Sequence, residues 1–273
     1  MPIYTPGKLT LAKAYVGIDD PDAQAYIAAV EAADQIASPG IGALETATKV
    51  AIHSFVKGCK NDGIWTAIKV GCILAGAKTH EGAFIDLKSS TKLLTNNGFI
   101  GIGTDYVRKT GLLGNGTTKY LNSNRNNNAD PQDSNHNALY VSTSSTGIYM
   151  GMRNSAENGE NVIIGGASTI FRNRSSNFTT ISGANAVGFI GMSRLNATTF
   201  DTRVNALTAS QSTNSNATSA NPLYIFVRNN IQGNLIDGYS SARLAFYSIG
   251  ESLDLALLDT RVSALITAIG AAF

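Results

Sequence analysis

The chain has 273 residues, 43% of them hydrophobic and only 15% charged, with a net charge of +2. Globular chains are usually nearer a quarter charged, so the polar surface must come from Asn, Ser, Thr and Gly, which suits sheets, turns and lasting protein contacts better than a heavily solvated enzyme. The small net charge, with no Lys/Arg cluster, excludes a general electrostatic hold on nucleic acid, and no run has the length of a signal-peptide core or of a membrane span, about 18 apolar residues.

Residues 1–17 read as an extended arm, because Pro2 and Pro6 favour extended backbone. Ile3, Tyr4, Leu9, Leu11 and Tyr15 would be costly to leave in water. They pack on their own domain or dock on a neighbouring subunit, as assembly residues. Residues 18–78 read as a helical segment. Asp20 is placed to cap a helix that opens with Pro21 and Asp22. Ala23, Tyr26, Ile27 and Val30 give it one apolar face, and Ser38-Pro39-Gly40 ends it. A second helix is expected from Gly42 to Lys57, with Leu44, Ala47, Ala51, Phe55 and Val56 buried and Gly58 as the stop. Ile64–Leu74, which holds the single tryptophan, Trp65, is helical or irregular.

From residue 79 to 250 short apolar runs alternate with turn clusters, the pattern of an antiparallel sandwich or barrel. Candidate strands are Ala83–Leu87, Tyr106–Leu112, Ala138–Ser142, Gly147–Met152, Asn161–Ile164, Thr169–Arg172, Phe178–Ile181, Val187–Arg194, Thr198–Asn205, Leu223–Arg228 and Arg243–Ser248. Val187–Arg194 and Thr198–Asn205 read as a hairpin, with Phe189, Phe200, Thr202 and Val204 toward the core. Asn122–Asn137 and Thr208–Ala220 read as polar loops. Residues 251–273 form a terminal helix whose stripe is Leu258, Val262, Leu265, Ile266 and Ile269. The fold class is therefore α+β, mainly β: a sandwich framed by helices.

No arrangement of residues calls for catalysis. There is no Gly-x-Ser-x-Gly elbow. His53, His80 and His136 lie in unrelated contexts, and His53 has no visible nucleophile or orienting acid. The pairs Asp130/Asp133 and Glu157/Glu160 are weak candidates for acid pairs. The Asp130–Asp133 region offers oxygen ligands but not EF-hand spacing. The glycine clusters at Gly101–Gly103 and Gly111–Gly116 lack a phosphate-loop lysine and read as turns. Cys59 and Cys72 read as buried free thiols. No cofactor or metal is expected. Arg125, Asn126, Asn128 and Tyr149 are candidate glycan contacts on composition alone.

Three stretches together carry a resemblance: Asp20–Asp34 with Ala51–Trp65, Arg108–Asn128, and Ala242–Ile266. They resemble a module of structural and tail proteins of tailed bacteriophages, cyanophages among them, built on a concanavalin A-like (laminin G-like) jelly-roll sandwich. The resemblance covers the chain from Asp20 to its end. Ser193–Asn205 resembles the paired strands such domains carry before an Asn-Gly turn, with Ala206 here in place of the Gly. It implies a non-enzymatic virion protein, a tail fibre or baseplate appendage that attaches through its arm. Its implied partners are other virion proteins, copies of itself in a trimer, and host surface glycans, with no membrane insertion. The alternatives are a capsid decoration protein and a glycan-binding, receptor-recognising lectin. Residues Arg125, Asn126, Asn128 and Tyr149 belong to the last.

Overall fold

The computed structural model describes residues 17–101, 103–153, 160–182 and 187–273. The arm residues Ile3, Tyr4, Leu9, Leu11 and Tyr15, and Glu157, lie outside them. Helix α1 runs from Pro21 to Ala37. The Asp20 carboxylate accepts from the amides of Asp22 and Ala23 at 3.0 and 3.1 Å, which satisfies two of the donors a helix start leaves open. Ala23, Tyr26, Ile27 and Val30 are buried as expected.

Helix α2 spans Thr46–Asn61, four residues later than the sequence suggests. Gly42 takes a φ of +79°, and the Leu44 amide donates to Glu31 at 3.0 Å, so the chain reaches the helix as a pinned extended segment. Ala47 is exposed rather than part of the buried stripe. Gly58 does not stop α2. A Cβ there would lie 2.8 Å from Arg261, so its bare backbone makes room for that side chain, and Gly63, with φ +73°, is where the helical path ends. Ile64–Leu74, expected to be helical or irregular, is irregular over residues 64–67 and then forms strand β1, Ile68–Ile73.

Ala83–Leu87 is not a strand. The short helix α3, His80–Ala83, is capped by the Thr79 hydroxyl, and the Asp86 carboxylate then accepts from Lys88 and Ser89 in a tight turn. The polar stretches assigned to loops hold strands as well. Strand β2 is Thr95–Asn97, and the expected Tyr106–Leu112 strand divides into β3, Tyr106–Val107, and β4, Gly111–Leu113. Strands β5, Tyr120–Asn126, and β6, Asn135–Thr143, occupy both ends of the supposed Asn122–Asn137 loop. There follow β7, Gly147–Arg153, β8, Asn161–Gly165, β9, Ser168–Asn173, β10, Thr179–Ser182, β11, Gly188–Arg194, and β12, Thr199–Val204. Strand β13, Leu207–Ser212, lies in the second supposed loop. Leu223–Arg228 also divides, into β14, Pro222–Ile225, and β15, Arg228–Asn230, because Phe226 turns the backbone at φ +73°. A 3-10 turn over Ile231–Gly233 leads to β16, Leu235–Asp237, then β17, Arg243–Gly250, and helix α4, Leu255–Gly270.

The strands form two sheets. Sheet A runs β13-β12-β11-β6-β17-β4-β3, with β1 also on β17; sheet B runs β10-β9-β8-β7-β14-β5-β2, with β15 and β16 beside β7. Among the described residues every pairing is antiparallel except β15 with β7. The result is a jelly-roll-like β-sandwich with helices before and after it. The expected hairpin β11–β12 forms, with Ile190 opposite Val204, and Phe189, Phe200, Thr202 and Val204 are buried.

One hydrophobic cluster runs through the helices and both sheets. Helices α2 and α4 pack together and cover sheet A: Phe55 meets Phe246 edge-on at 5.7 Å, and α4 lies on β11 and β12. The α4 stripe Leu258, Val262, Leu265, Ile266 and Ile269 is buried in this packing. Among the described residues no helix is long and apolar enough to cross a membrane.

Candidate functional site

In a sandwich the strand period of two divides each strand between core and outside. On β5 and β14 of sheet B, Leu121 and Ile225 are cross-strand partners and buried, so their neighbours Asn122 and Tyr224, also partners, face out. Tyr120 shares that outer face. Its ring stacks on Tyr224, centroids 5.0 Å apart and planes 25° from parallel. Tyr239, from the connection after β16, meets Tyr120 edge-on at 6.4 Å. All three are half-buried, and no hydrogen bond among the described residues engages their hydroxyls. Burial, then the proximity of Tyr120, raises the hydroxyl pKa values of Tyr224 and Tyr239 above the ordinary range. They stay neutral at physiological pH, each an apolar plate with a free donor at its rim.

The border of this face is held by charge. Glu160 is wholly buried and grips Arg172 with one oxygen and Arg228, at 2.8 Å, with the other. Arg228 also holds Asp237 through two nitrogens at 2.8 and 2.9 Å, and Asn230 donates to the same carboxylate at 2.6 Å. This locks β15 to β16 and fixes the connection that carries Tyr239. Phe178, 50% exposed, lies 3.4 Å from the Arg172 guanidinium.

The four residues proposed for glycan contact do not meet. Tyr149 is fully buried, and its hydroxyl donates to the Ser145 carbonyl at 2.7 Å while accepting from the Ser145 amide. It offers nothing to a ligand. Arg125 is bound to Asp130 at 2.5 Å. Asn126 and Asn128 are exposed beside it. A cleft of about 310 Å³ opens there, lined by Val70, Leu93, Asn124, Arg125 and Asn126. The tyrosine face escaped the sequence reading because its members sit on three separate segments, and no local spacing joins them.

Glu157 lies outside the described residues, and the described candidates His53, His136, Asp130, Asp133 and Glu160 have structural partners. His53 Nε2 lies 2.6 Å from Asp19, which the sequence did not reveal as its partner; Lys57, then His53, hold the Asp19 carboxyl down at about 2. His136 is fully buried between the Glu251 carbonyl and the Ser248 hydroxyl, and burial lowers it to about 4. Asp133 accepts from Ser215. Cys59 and Cys72 are free and buried, and burial raises Cys59 to about 12. Among the described residues no three His, Cys, Asp or Glu side chains cluster as a metal site.

The inter-sheet space is polar at one end. Asn135 and Asn137 of β6 and Asn173 of β9 are buried with no hydrogen-bond partner for either side-chain atom among the described residues. Beside them Arg194 donates to the Asn173 carbonyl at 2.9 and 3.1 Å, and Arg174 to the carbonyls of Asn127, Pro131 and Gln132. Both guanidiniums thus clamp turns through neutral carbonyls.

No protein-family model and no curated protein matches this chain. Solved structures overlay in part. A structure titled HCR/D-Sa-GBL1/C aligns at a TM-score of 0.48 and 11% identity, over 73% of this chain and 52% of that one. The binding domain of botulinum neurotoxin serotype D aligns at 0.47 and 9%, over 71% and 50%. Domain 4 of AbnA, a GH43 extracellular arabinanase from Geobacillus stearothermophilus in complex with arabinotriose, aligns at 0.42 and 12%, over 65% and 92%. This chain spans about a quarter of the NanB sialidase and half of the neurotoxin chain it overlays.

Proposed function

We propose that this chain is a non-catalytic attachment module that binds neutral carbohydrate on the outer face of sheet B. The observation that carries the reading is the stacked pair Tyr120–Tyr224 with Tyr239 at its edge, hydroxyls free, on a face α2 and α4 leave open. The C–H face of a pyranose packs on such a ring while its hydroxyls meet the phenol and the amides of Asn97 and Asn122, which share the face by register. Lys119 is engaged by Asp105 at 2.5 Å, so its charge is not free to favour an acidic sugar. The test is a glycan array with the purified chain, followed by calorimetry on its best ligands. Binding that Tyr224→Ala abolishes supports the site; absence of binding to every neutral glycan overturns it.

The setting is a phage virion, with the chain a tail fibre or baseplate appendage joined through residues 1–17. Support for this is the resemblance of the three stretches given above. Antibody labelling of particles by electron microscopy tests it: label on tails supports the appendage, label over heads the decoration role.

A further inference from the structure

Strand β13 ends sheet A, and among the described residues nothing pairs with its outer edge. The phase of that edge is fixed. The Thr213 amide donates to the Thr198 carbonyl at 2.9 Å, and the register continues Phe200–Gln211, Thr202–Ala209 and Val204–Leu207. In an antiparallel ladder the hydrogen-bonded pairs alternate. Ala209 and Gln211 therefore spend their backbone groups on β12, while Thr208, Ser210 and Ser212 direct N–H and C=O away from the sheet.

Natural edges are usually blunted by Lys, Pro, a bulge or an inward charge. This one has none. Its sequence is Leu-Thr-Ala-Ser-Gln-Ser, uncharged throughout, and its pairing with β12 is regular over all six residues. Leu207, at one end, is 62% exposed.

We propose that β13 pairs antiparallel with β13 of a second copy of this chain, about a twofold axis at Ser210, joining two A sheets into one. The geometry is self-complementary. With Ser210 opposite its counterpart, Thr208 faces the counterpart of Ser212, so each outward N–H meets an outward C=O. Ala209 then faces the counterpart of Gln211, and no like charges oppose one another. Two charges on β12 neighbour the edge: Arg203, which donates to the Thr208 hydroxyl at 2.7 Å and is held by Asp259 at 2.7 Å, and Asp201, the partner of Ser210. Across the twofold the two Asp201 residues stand three strand spacings apart, about 14 Å, beyond the Debye length of about 8 Å at physiological salt. Their repulsion is screened, and the edge selects a copy of itself over a charged strand.

A six-residue edge buries less than a standard interface, so association depends on concentration. The pair would carry two tyrosine faces, raising avidity for a repeated surface glycan without any new sugar contact.

The test is light scattering of the full chain over a concentration series, beside Ser210→Pro and Ser210→Lys. Among the described residues the Ser210 N–H makes no bond, so proline there costs the fold little; unchanged unfolding midpoints verify this. Wild type should rise toward twice its 28.6 kDa, with both variants at the monomer mass. The amides of Thr208, Ser210 and Ser212 should exchange more slowly at high concentration, and those of Ala209 and Gln211 at an unchanged rate. A wild type that stays monomeric, variants that associate like wild type, or association that a deletion of residues 1–16 abolishes and Ser210→Pro leaves intact would each overturn the proposal.

Discussion

The rings of Tyr120 and Tyr224 stack across adjacent strands of sheet B, 5.0 Å between centroids, while the backbone beneath them turns Leu121 and Ile225 into the core. The same strand pair thus supplies both a core layer and an outer plate. Removing one ring, in Tyr120→Ala, should weaken glycan binding about tenfold, about 1.4 kcal/mol, whereas Tyr120→Phe keeps the plate and loses only a hydroxyl. Calorimetry on both variants separates stacking from hydrogen bonding; equal losses would point to the hydroxyl.

His136 should make stability pH-dependent. Its folded pKa, about 4, is below the ordinary 6.5, because burial opposes the charged ring. As pH falls below 6.5 the unfolded chain takes a proton that the folded chain refuses, so the contribution is full above 6.5 and is lost as pH falls to 4. The shift corresponds to about 3 kcal/mol. Urea unfolding from pH 7 to 4 should show it, and His136→Gln should flatten the curve. Asp19, held at about 2 by Lys57 and His53, acts in a lower window, between 3.8 and 2.

Two glycines should respond differently to alanine. At Gly111, φ is +95° and a Cβ would lie 2.1 Å from the Leu244 carbonyl oxygen, so Gly111→Ala should cost more than about 2 kcal/mol in backbone strain and collision. At Gly58 the obstacle is the far end of Arg261, a half-exposed side chain paired with Asp62 at 2.6 and 2.8 Å. The gain in helix propensity, about 1 kcal/mol, offsets a weakened surface pair, so Gly58→Ala should change stability by less than about 1 kcal/mol. Thermal unfolding of both variants checks the contrast.

Asn137 lies in the core opposite Met192 and Ile249, its amide without a partner among the described residues. An unsatisfied buried amide costs about 1–3 kcal/mol, so Asn137→Leu should leave stability unchanged or raise it. A loss above about 1 kcal/mol in urea unfolding would show that the amide has a bound water or another partner in solution.

The two thiols should be inert in the folded chain. Only thiolate reacts readily, and burial pushes both Cys59 and Cys72 upward. A chromogenic disulfide reagent at pH 8 should label neither until denaturant is added; rapid labelling of one would place it at the surface.

Helices α1 and α4 were legible because their signals are local: Asp20-Pro21, and the periodic stripe of α4, lie where the structure has them. Most apolar strands were legible for the same reason, but β1, Ile68–Ile73, was not. Strands β5 and β13 were not, since Tyr-Leu-Asn-Ser-Asn-Arg-Asn and Leu-Thr-Ala-Ser-Gln-Ser carry little apolar alternation. Their order comes from ladders with β14, β2 and β12, partners distant or polar in sequence. Ala83–Leu87 failed the other way: its apolar residues are buried, but Asp86 hydrogen bonds favour a turn over a ladder. None of the candidate site was visible from composition, which pointed to Arg125, Asn126, Asn128 and Tyr149 instead. Tyr120, Tyr224 and Tyr239 become neighbours only when the sheet assembles, and Tyr149 shows that an aromatic in a polar stretch can point inward.

Strand β17 receives β1, β4 and β6 along its two edges, with Ile68 opposite Gly250. Sheet A is therefore closed by a segment synthesised long after β1, and Ile68 must wait for Gly250, far downstream in the chain. Contacts of such long sequence separation slow folding, because loop-closure entropy is lost before they form. During synthesis the N-terminal helices can form early, yet β1 stays unlatched until Arg243–Gly250 arrives, and a chain cut short before that point would expose the edges of both β1 and β6 at once.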